Sequence, residues 1–413
     1  MIALSRFSLV IVTAISLLSF YSPKEKRYLI TNYGAVADTS TINTAAIQKA
    51  IDKCVAEGGG TVVIPKGIFM SGSIFLKEKV SLQIEEGGVL KGSLNEADYP
   101  QIDTRWEGEE KKWTACLVNA INLKNIRITG PGTINGSGVE WTAKPRGTLH
   151  QGKPILMGVQ NCNSVQISNL KLRNQACWGV FVLYSTDVEI NGLDIAAAHN
   201  IPSSDGIDID SGKDIKIRNC YIDVNDDCIS IKSGKDEDGL RVNRPCENIT
   251  IEKCTFGYGH GGVAMGSETS GGIRNVLIKD CVAEKGNWAP IRFKSQPSRG
   301  GVVENITYQN FKLDSTRKAV EFNMAWRMVP PVKPAAKVLP VVKNVKLINI
   351  NGDVNSIGDI HGLEGSPIQG ITFTNCNLTA QKGLLIEHAR NVDLAGLKMT
   401  VKEGEAITKK DVQ

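Results

Sequence analysis

The residues that could do chemistry in this chain are a group of carboxylates, one imidazole and two cations in its central part. They are Asp205, Asp226, Asp227, His260, Arg292 and Lys294. Clustered aspartates raise each other's pKa, so one carboxyl can stay protonated as a general acid while another acts as a base. Arg and Lys bind a carboxylate through charge-assisted, directional hydrogen bonds. The group therefore indicates acid–base chemistry on an anionic substrate, provided that the fold brings its members together.

The fold that would do so is indicated by a repeated phrase. A small polar residue, usually Asn, begins an alternation of apolar and polar residues that ends on Cys, Leu, Phe or Ile six positions later. Copies begin at Ser164, Asp187, Asp214, Asn248, Asn275, Asn305, Asn344, Gly370 and Asn391, with a weaker copy at Asn125. Alternation is the period of a strand, and a strand repeat of roughly 20 to 40 residues is typical of a solenoid. The sequence therefore predicts an all-β fold, a parallel β-helix.

Aligned on a second strand of each repeat, four consecutive coils place the candidate residues side by side. Two apolar columns are predicted to face the core: Ile207, Ile229, Val263 and Ile291, then Ile209, Ile231, Met265 and Phe293. The columns between them are predicted to face solvent: Asp208, Ser230, Ala264 and Arg292, then Asp210, Lys232, Gly266 and Lys294. Just before the strand, Asp205 and Asp227 share a column, beside one with Ser204, Asp226 and His260. Because neighbouring rungs lie about 4.8 Å apart, the alignment predicts a single site on one face.

Four short signatures in this region resemble those of the family 28 glycoside hydrolases, the polygalacturonase group. The family's Asn-Thr-Asp, Asp-Asp, Gly-His-Gly and Arg-Ile-Lys read here as Ser203-Ser204-Asp205, Asp226-Asp227, Gly259-His260-Gly261 and Arg292-Phe293-Lys294. They stand in the family's order, and the resemblance covers roughly residues 28 to 400. It implies a right-handed, single-stranded parallel β-helix that hydrolyses α-galacturonosyl linkages of pectic polysaccharides or oligosaccharides, with inversion and without a cofactor.

The resemblance also implies catalytic roles for the matching residues. Asp226 would be the general acid that protonates the leaving glycosidic oxygen. Asp205 and Asp227 would together hold and deprotonate the attacking water. His260 would tune the acid or its proton supply. The pattern contains no predicted metal-ligand set, since no His and Cys pairs have ligand spacing near the acidic cluster.

Substrate binding is predicted for a second group of residues. By resemblance, Arg292 and Lys294 would bind the uronate carboxylate. Ser204, where the family has Thr, and Lys232, in a column predicted to face solvent, are further expected contacts. The family's polygalacturonases carry a substrate-contacting Tyr in a later coil, and Trp326 is the nearest candidate here.

The rest of the chain indicates its organisation and location. Its 413 residues carry 48 basic and 43 acidic side chains, with no run of Lys or Arg typical of nucleic-acid binding. Residues 1–22 read as an export signal, in which Arg6 precedes an apolar stretch that is short for a membrane span. We therefore expect a secreted or periplasmic monomer, not inserted in a membrane. Its single catalytic domain would cover 23–405, followed by a polar tail at 406–413.

An amphipathic helix is predicted to cap the N-terminal end of the β-helix. Ile47, Ile51, Cys54 and Val55 form an apolar stripe at helical spacing, and Gly58 begins a glycine run that ends it. Such a helix would cover the first coil, whose open edge would otherwise expose unpaired backbone groups.

Two irregular stretches could form the walls of a groove over the predicted site. They are Leu94–Trp113 and the Pro-rich Met328–Pro340. Within the first, Arg105-Trp106-Glu107-Gly108 resembles exo-acting relatives. The sequence therefore favours removal of terminal residues over internal cleavage.

Two other interpretations remain open from the sequence. A calcium-dependent, pectate-lyase-type enzyme could hold Ca²⁺ on an aspartate cluster and use Arg292 as its base. That cluster would consist of Asp205, Asp208, Asp210, Asp226 and Asp227. Alternatively, a non-catalytic β-helix could bind a glycan without cleaving it, although such proteins usually lose acidic positions that are all present here.

Overall fold

Each coil of the chain contributes short strands that pair in parallel with the strands at the same position of the next coil. The computed structural model describes residues 26–145, 149, 152–332, 335 and 337–412. The predicted export signal at 1–22 lies outside the described residues. Within them, no helix is both long and apolar enough to cross a lipid bilayer. The architecture is the right-handed parallel β-helix that the repeat and the resemblance predicted.

The strands and helices alternate with short turns along the whole described chain. The strands are β1 (Arg27–Leu29), β2 (Gly60–Ile64), β3 (Gly67–Ser71), β4 (Ile74–Phe75), β5 (Val80–Ile84), β6 (Gly88–Gly92), β7 (Gln101–Trp106), β8 (Glu109–Thr114), β9 (Val118–Ile121), β10 (Lys124–Thr129), β11 (Thr133–Asn135), β12 (Met157–Gln160), β13 (Asn163–Ser168), β14 (Lys171–Arg173), β15 (Val180–Leu183), β16 (Thr186–Asn191), β17 (Asp194–Ala196), β18 (Ile207–Asp210), β19 (Lys213–Arg218), β20 (Tyr221–Asp223), β21 (Ile229–Lys232), β22 (Cys246–Glu252), β23 (Thr255–Phe256), β24 (Gly259–Met265), β25 (Ile273–Ala283), β26 (Asn287–Lys294), β27 (Val302–Asn323), β28 (Val341–His361), β29 (Ile368–Thr374), β30 (Cys376–Asp393) and β31 (Leu397–Val412). The helices are α1 (Thr44–Ala56), α2 (Gly138–Ala143) and α3 (Asp236–Val242), with 3-10 turns at Ile30–Tyr33 and Glu96–Asp98.

One of the parallel sheets carries the predicted site. It contains β9, β12, β15, β18, β21, β24, β26 and the end of β27. Ile207 pairs with Ile229, which pairs in turn with Val263, and Ile291 pairs with Val320 on the following coil. The register is therefore that of the sequence alignment. Both apolar columns of the alignment are buried in the core, as predicted.

The residue that begins each repeated phrase lies within a strand and bends the backbone there. All of them have a positive φ, between 53° at Asn391 and 66° at Gly370. Asn and Asp adopt this left-handed conformation more readily than other non-glycine residues. The Asn side chains also form a ladder, in which Asn275 donates a hydrogen bond to Asn248 and Asn305 donates to Asn275. The turn conformation and the ladder together explain why the phrase so often begins with Asn.

Helix α1 covers the first coil, as the sequence predicted. Ile47, Ile51 and Cys54 are completely buried against it. Val55, which the apolar stripe also included, is exposed instead. Successive residues of a helix point about 100° apart, so the residue after Cys54 turns away from the core.

Two segments depart from the pattern that the sequence indicated. Strands β7 and β8 form an antiparallel hairpin outside the stacked coils, with Arg105 paired to Glu110. Residues 406–412, expected to be a polar tail, belong instead to β31, which pairs in parallel with β30. Their side chains are mostly exposed because β31 ends the described stack, so polarity there is compatible with a strand.

Candidate active site

An open groove of about 500 Å³ runs along the site-bearing sheet, across successive coils. It contains every predicted catalytic residue and most of the predicted contacts: Asp205, Asp226, Asp227, His260, Lys232, Arg292, Lys294 and Trp326. It also contains residues for which the sequence suggested no role, among them Trp178, Glu268, Trp288 and Glu321. The β-helix therefore brings the chemistry-bearing residues into one site, because equivalent positions of successive coils stack on one another.

Asp226 and His260 form a pair at the edge of this groove. The ring nitrogen Nδ1 of His260 lies 3.4 Å from Oδ1 of Asp226, and the backbone N–H of His260 donates to the Asp226 carbonyl. Burial would raise the pKa of Asp226, but the hydrogen bond from His260 and the charge of Lys294 lower it to about 2. The hydrogen bond to Asp226 in turn raises the pKa of His260. The two opposite shifts favour the charged pair, with an ionised Asp226 and a protonated His260.

Asp227 lies beneath the groove and is held by both predicted uronate-binding cations. Its Oδ2 accepts a hydrogen bond from Lys294 at 2.5 Å, and its Oδ1 accepts one from Arg292 at 3.2 Å. The Asp227 side chain is 1% exposed. Both of its oxygens are thus oriented by charged donors, which fixes the carboxylate at the floor of the site.

Asp205 is the one of the three clustered aspartates whose pKa its surroundings raise. Burial and the neighbouring carboxylates of Asp208 and Asp226 raise the pKa of Asp205 well above its ordinary value. Lys232 lies 4.0 Å from Asp205 but only 2.6 Å from Asp208. Burial also raises the pKa of Asp208, to about 7, although the adjacent Lys232 opposes this. The sequence predicted a raised pKa for at least one of the three clustered aspartates. The pKa is raised at Asp205 but lowered at Asp226, the residue expected to be the general acid.

Glu321 is a site residue that the sequence alignment did not include. It accepts a hydrogen bond from Nε of Arg292 at 2.7 Å and another from Lys318 at 2.7 Å. Burial would raise the pKa of Glu321, but Arg292 and Lys318 lower it below its ordinary value. Glu321 pairs with Arg292 on the next coil, so an alignment extended by one coil would have found it.

The N-terminal end of the groove is closed by stacked indole rings. Trp178 lies on the coil before Asp205, and Trp106 of the hairpin stacks on it at 4.5 Å between ring centroids. Trp113 stacks on the other side of Trp106 at 4.4 Å. The ammonium of Lys232 lies 3.9 Å from the centroid of Trp178, so the wall directly adjoins the charged floor.

Ion pairs hold the hairpin of β7 and β8 in this position. Arg105 contacts Asp210 at 2.7 Å, and both side chains are 1% exposed. Near the hairpin turn, Glu109 pairs with Lys235 at 2.5 Å. The first predicted wall, Leu94–Trp113, is thus a fastened structure at the end of the groove.

The second predicted wall is also tied to the body of the protein. Trp326, Met328 and Val329 line one side of the groove. Arg299 donates a hydrogen bond to the Val329 carbonyl at 3.0 Å and pairs with the buried Asp236 at 2.6 Å. The loop that carries Trp326, Met328 and Val329 is therefore held in place beside the floor of the groove.

Two predictions about individual residues need correction. Ser204 does not face the groove: it is completely buried, and its hydroxyl accepts a hydrogen bond from the Asn225 backbone, while Ser203 lines the groove instead. The columns that begin with Asp208 and Asp210 point away from the core but are not solvated. Both aspartates are buried because the hairpin and Lys232 cover them.

One oxygen each of Asp205, Asp226 and Asp227 could be offered to a metal ion, since these atoms lie within 4.8 Å of one another. His260 and Lys294 already engage Asp226 and Asp227, so a cation would have to compete with them. The calcium set expected for a lyase also needed Asp208 and Asp210. Both are buried beside Lys232 and Arg105, where a cation would meet positive charge.

The chain is similar to proteins of one family along most of its length. The model of the family described as "Glycosyl hydrolases family 28" matches residues 54–396. A "Probable polygalacturonase" of Vitis vinifera is 30% identical over 361 residues, which are 84% of this chain and 73% of that protein. An "Exo-poly-alpha-D-galacturonosidase" of Dickeya chrysanthemi is 30% identical over 70% of this chain and 55% of its own length.

An "Endo-polygalacturonase" of Pectobacterium parmentieri is 27% identical over 83% of this chain and 86% of its own length. Among solved structures, the family 28 exopolygalacturonase of Yersinia enterocolitica superposes with a TM-score of 0.85. It covers 94% of this chain and 78% of its own, and at 24% identity the likeness is one of fold. Relatives named for terminal and for internal cleavage thus both resemble this chain.

Proposed function

This chain belongs to family 28 of the glycosyl hydrolases, and from that membership and the site geometry we propose that it hydrolyses α-galacturonosyl linkages of pectic polysaccharides or oligosaccharides. The observation that carries the proposal is the convergence of Asp205, Asp226 and Asp227 with Arg292 and Lys294 in one groove. The aspartates provide the general acid and the general base, and the two cations bind the carboxylate of a uronate residue. We further propose that the protein acts as a secreted or periplasmic monomer.

The proton for the leaving oxygen comes from the pair of Asp226 and His260. In the free site this proton is on His260, because the pKa of Asp226 is lowered to about 2. A bound uronate brings negative charge to Arg292 and Lys294 and excludes water, and both effects favour the neutral form of Asp226. The proton then passes across the 3.4 Å contact to Asp226, which donates it to the glycosidic oxygen.

The attacking water is held by Asp205 and Asp227. Oxygens of the two carboxylates lie within 4.8 Å of each other, so one water can accept orientation from both. Asp227 is fixed by Lys294 and Arg292, and Asp205, with its raised pKa, is the better proton acceptor of an ionised pair. The same cations would bind the uronate of the leaving group, because they lie on coils that follow the aspartates.

The stereochemical course is proposed as inversion, in which water attacks directly. Inverting glycosidases usually keep their acid and base about 6.5–9.5 Å apart, and retaining ones about 5–5.5 Å apart. Here one oxygen of Asp226 lies within 4.8 Å of one oxygen of Asp205 and of one oxygen of Asp227. Two carboxylates that share one water provide a reason for close spacing without a covalent intermediate. Proton NMR of the first product anomer distinguishes the courses: β-galacturonate means inversion, and α-galacturonate means retention.

Terminal action is supported by the shape of the groove. The wall of Trp178, Trp106 and Trp113 stands one coil before Asp205 and limits how far a substrate can extend on that side. The opposite side, towards Arg292, continues along the sheet. We propose that the non-reducing end of the chain enters against the indole wall, so that monomers are released.

The test is to incubate the purified protein with de-esterified polygalacturonate, with and without EDTA, and to follow products by chromatography and ultraviolet absorbance. Saturated monomer released early and in EDTA is the expected result. An absorbing, EDTA-sensitive product would replace hydrolysis by calcium-dependent elimination. Asp226→Asn should bind substrate but turn it over at least about 10²-fold more slowly, as expected for loss of a general acid. Binding by the wild-type protein without any turnover would favour a glycan-binding protein.

A further inference from the structure

At its end towards the later coils, the groove reaches an indole that the proposed reaction does not use. Trp288 lines the groove on the same strand as Arg292. Arg317 belongs to β27, on the next coil, and contacts the ring of Trp288. This end has no counterpart of the indole wall at the opposite end among the residues that the structure describes.

Arg317 is held on the indole. Its guanidinium carbon lies 3.9 Å from the centroid of the Trp288 ring, although the side chain as a whole is exposed. No carboxylate within the described ranges pairs with it at salt-bridge distance. A guanidinium that is already stacked loses less freedom when it binds a carboxylate than a free one would.

Through Glu321, the indole of Trp288 is also linked to Arg292, which is proposed to bind the uronate carboxylate. Nε1 of Trp288 donates a hydrogen bond to Glu321 at 3.4 Å, and Glu321 accepts one from Arg292 at 2.7 Å. Arg292 and Arg317 are thus two guanidinium groups on neighbouring coils, joined through one carboxylate and one indole. Neighbouring coils are about 4.8 Å apart, a step similar to the length of one sugar ring.

We propose that Trp288 and Arg317 form a second binding subsite on the leaving-group side, which takes the galacturonate residue after the one gripped by Arg292 and Lys294. A polyuronide carries one carboxylate per residue, so a chain that leaves the first grip presents its next carboxylate to this pair. The inference rests on the proposed function and adds a preference of the enzyme for longer substrates. Substrates of three or more residues engage the subsite, and a dimer does not reach it.

The experiment compares kcat/KM for digalacturonate and trigalacturonate in the wild-type protein, in Arg317→Ala and in Arg317→Gln. The ratio of trimer to dimer should fall about fivefold in both variants, as expected for one exposed charge-assisted contact. The difference should shrink as salt is raised, because the contact is exposed. Lys312→Ala, which removes an exposed cation from the same strand, is the matched control and should keep the wild-type ratio.

An unchanged ratio in the Arg317 variants, or an equal loss on dimer and trimer, would overturn the subsite. In either case normal wild-type turnover of both substrates would leave the proposed function standing. Failure of the wild-type protein to hydrolyse either galacturonide would remove the proposed function and the subsite with it.

Discussion

Arg105 contacts Asp210 at 2.7 Å although the two residues are 105 positions apart, and each side chain is 1% exposed. Through this pair a hairpin outside the coils is fastened to β18, the strand that follows Asp205. The same guanidinium donates to the hydroxyl of Ser211 and lies over the ring of Tyr184. The hairpin part of the indole wall is therefore fastened by this buried ion pair, together with the pair of Glu109 and Lys235.

Arg105→Met should destabilise the protein and loosen the end of the groove. Removing one partner leaves Asp210 buried without its counter-charge, which costs about 3–5 kcal/mol in comparable cases. Urea unfolding would measure the loss, and early products from polygalacturonate should shift from monomer towards longer oligomers. Lys112→Ala breaks an exposed ion pair in the same hairpin and should change stability by less than about 1 kcal/mol. If the destabilised Arg105→Met protein still released only monomer at early times, the position of the hairpin would not determine terminal action.

Glu321→Gln should weaken substrate binding more than it slows the chemical step. Glu321 accepts from Nε of Arg292 and so orients the guanidinium that faces the groove. Without its charge, KM for polygalacturonate should rise about five- to tenfold, as for loss of one charge-assisted contact, with a smaller change in kcat. Steady-state kinetics give the split, and Glu403→Gln on an exposed strand is the control. A fall in kcat at constant KM would contradict a positioning role.

Asp208→Asn should move the acidic limb of the pH–rate profile to lower pH. The negative charge of Asp208 is one cause of the raised pKa of Asp205. Removing it eases loss of the proton from Asp205, and it also frees Lys232 to approach that carboxylate. Both effects lower the pKa of Asp205, so the base is ionised at a lower pH. Profiles of kcat/KM would reveal the shift, and Asp314→Asn, on the exposed surface, should leave the limb in place. A shift of the acidic limb to higher pH would contradict the proposed effect of Asp208 on the pKa of Asp205.

Substitutions at Asn275 should separate the two roles of the ladder residues. Asn275→Ala removes hydrogen bonds to Asn248 and Asn305 and keeps a φ of 57°, which costs a non-glycine residue about 1–2 kcal/mol. Asn275→Gly loses the same bonds without that strain, and it should be the less destabilising change in urea unfolding. Equal stability of the two variants would mean that the backbone conformation contributes little.

The fold could be predicted from the sequence because its determinants are local. The alternation of apolar residues states which side chains face inward, and the recurrent Asn marks where the backbone must turn with a positive φ. In a parallel β-helix, positions one repeat apart become neighbours. Aligning the repeats was therefore enough to bring Asp205, Asp227 and His260 together before any coordinates were known.

The alignment covered four coils, so site residues on the coils before and after them were not predicted. Glu321 and Trp178 follow the same columns, one coil after and one coil before the alignment, and were missed for that reason alone. Ser204 was misplaced because it lies in a turn, where strand alternation no longer determines direction.

What the sequence determined by itself is thus the stacking of coils and the set of residues on one face, since both follow from the repeat. Tertiary structure alone decided the closed end of the groove and the protonation of the carboxylates. The hairpin carries no repeat, and its position depends on the distant contact of Arg105 with Asp210. Whether Asp205 or Asp226 holds a proton depends on burial and on the distances to Lys232, Lys294 and His260. Those quantities exist only once the side chains are packed in three dimensions.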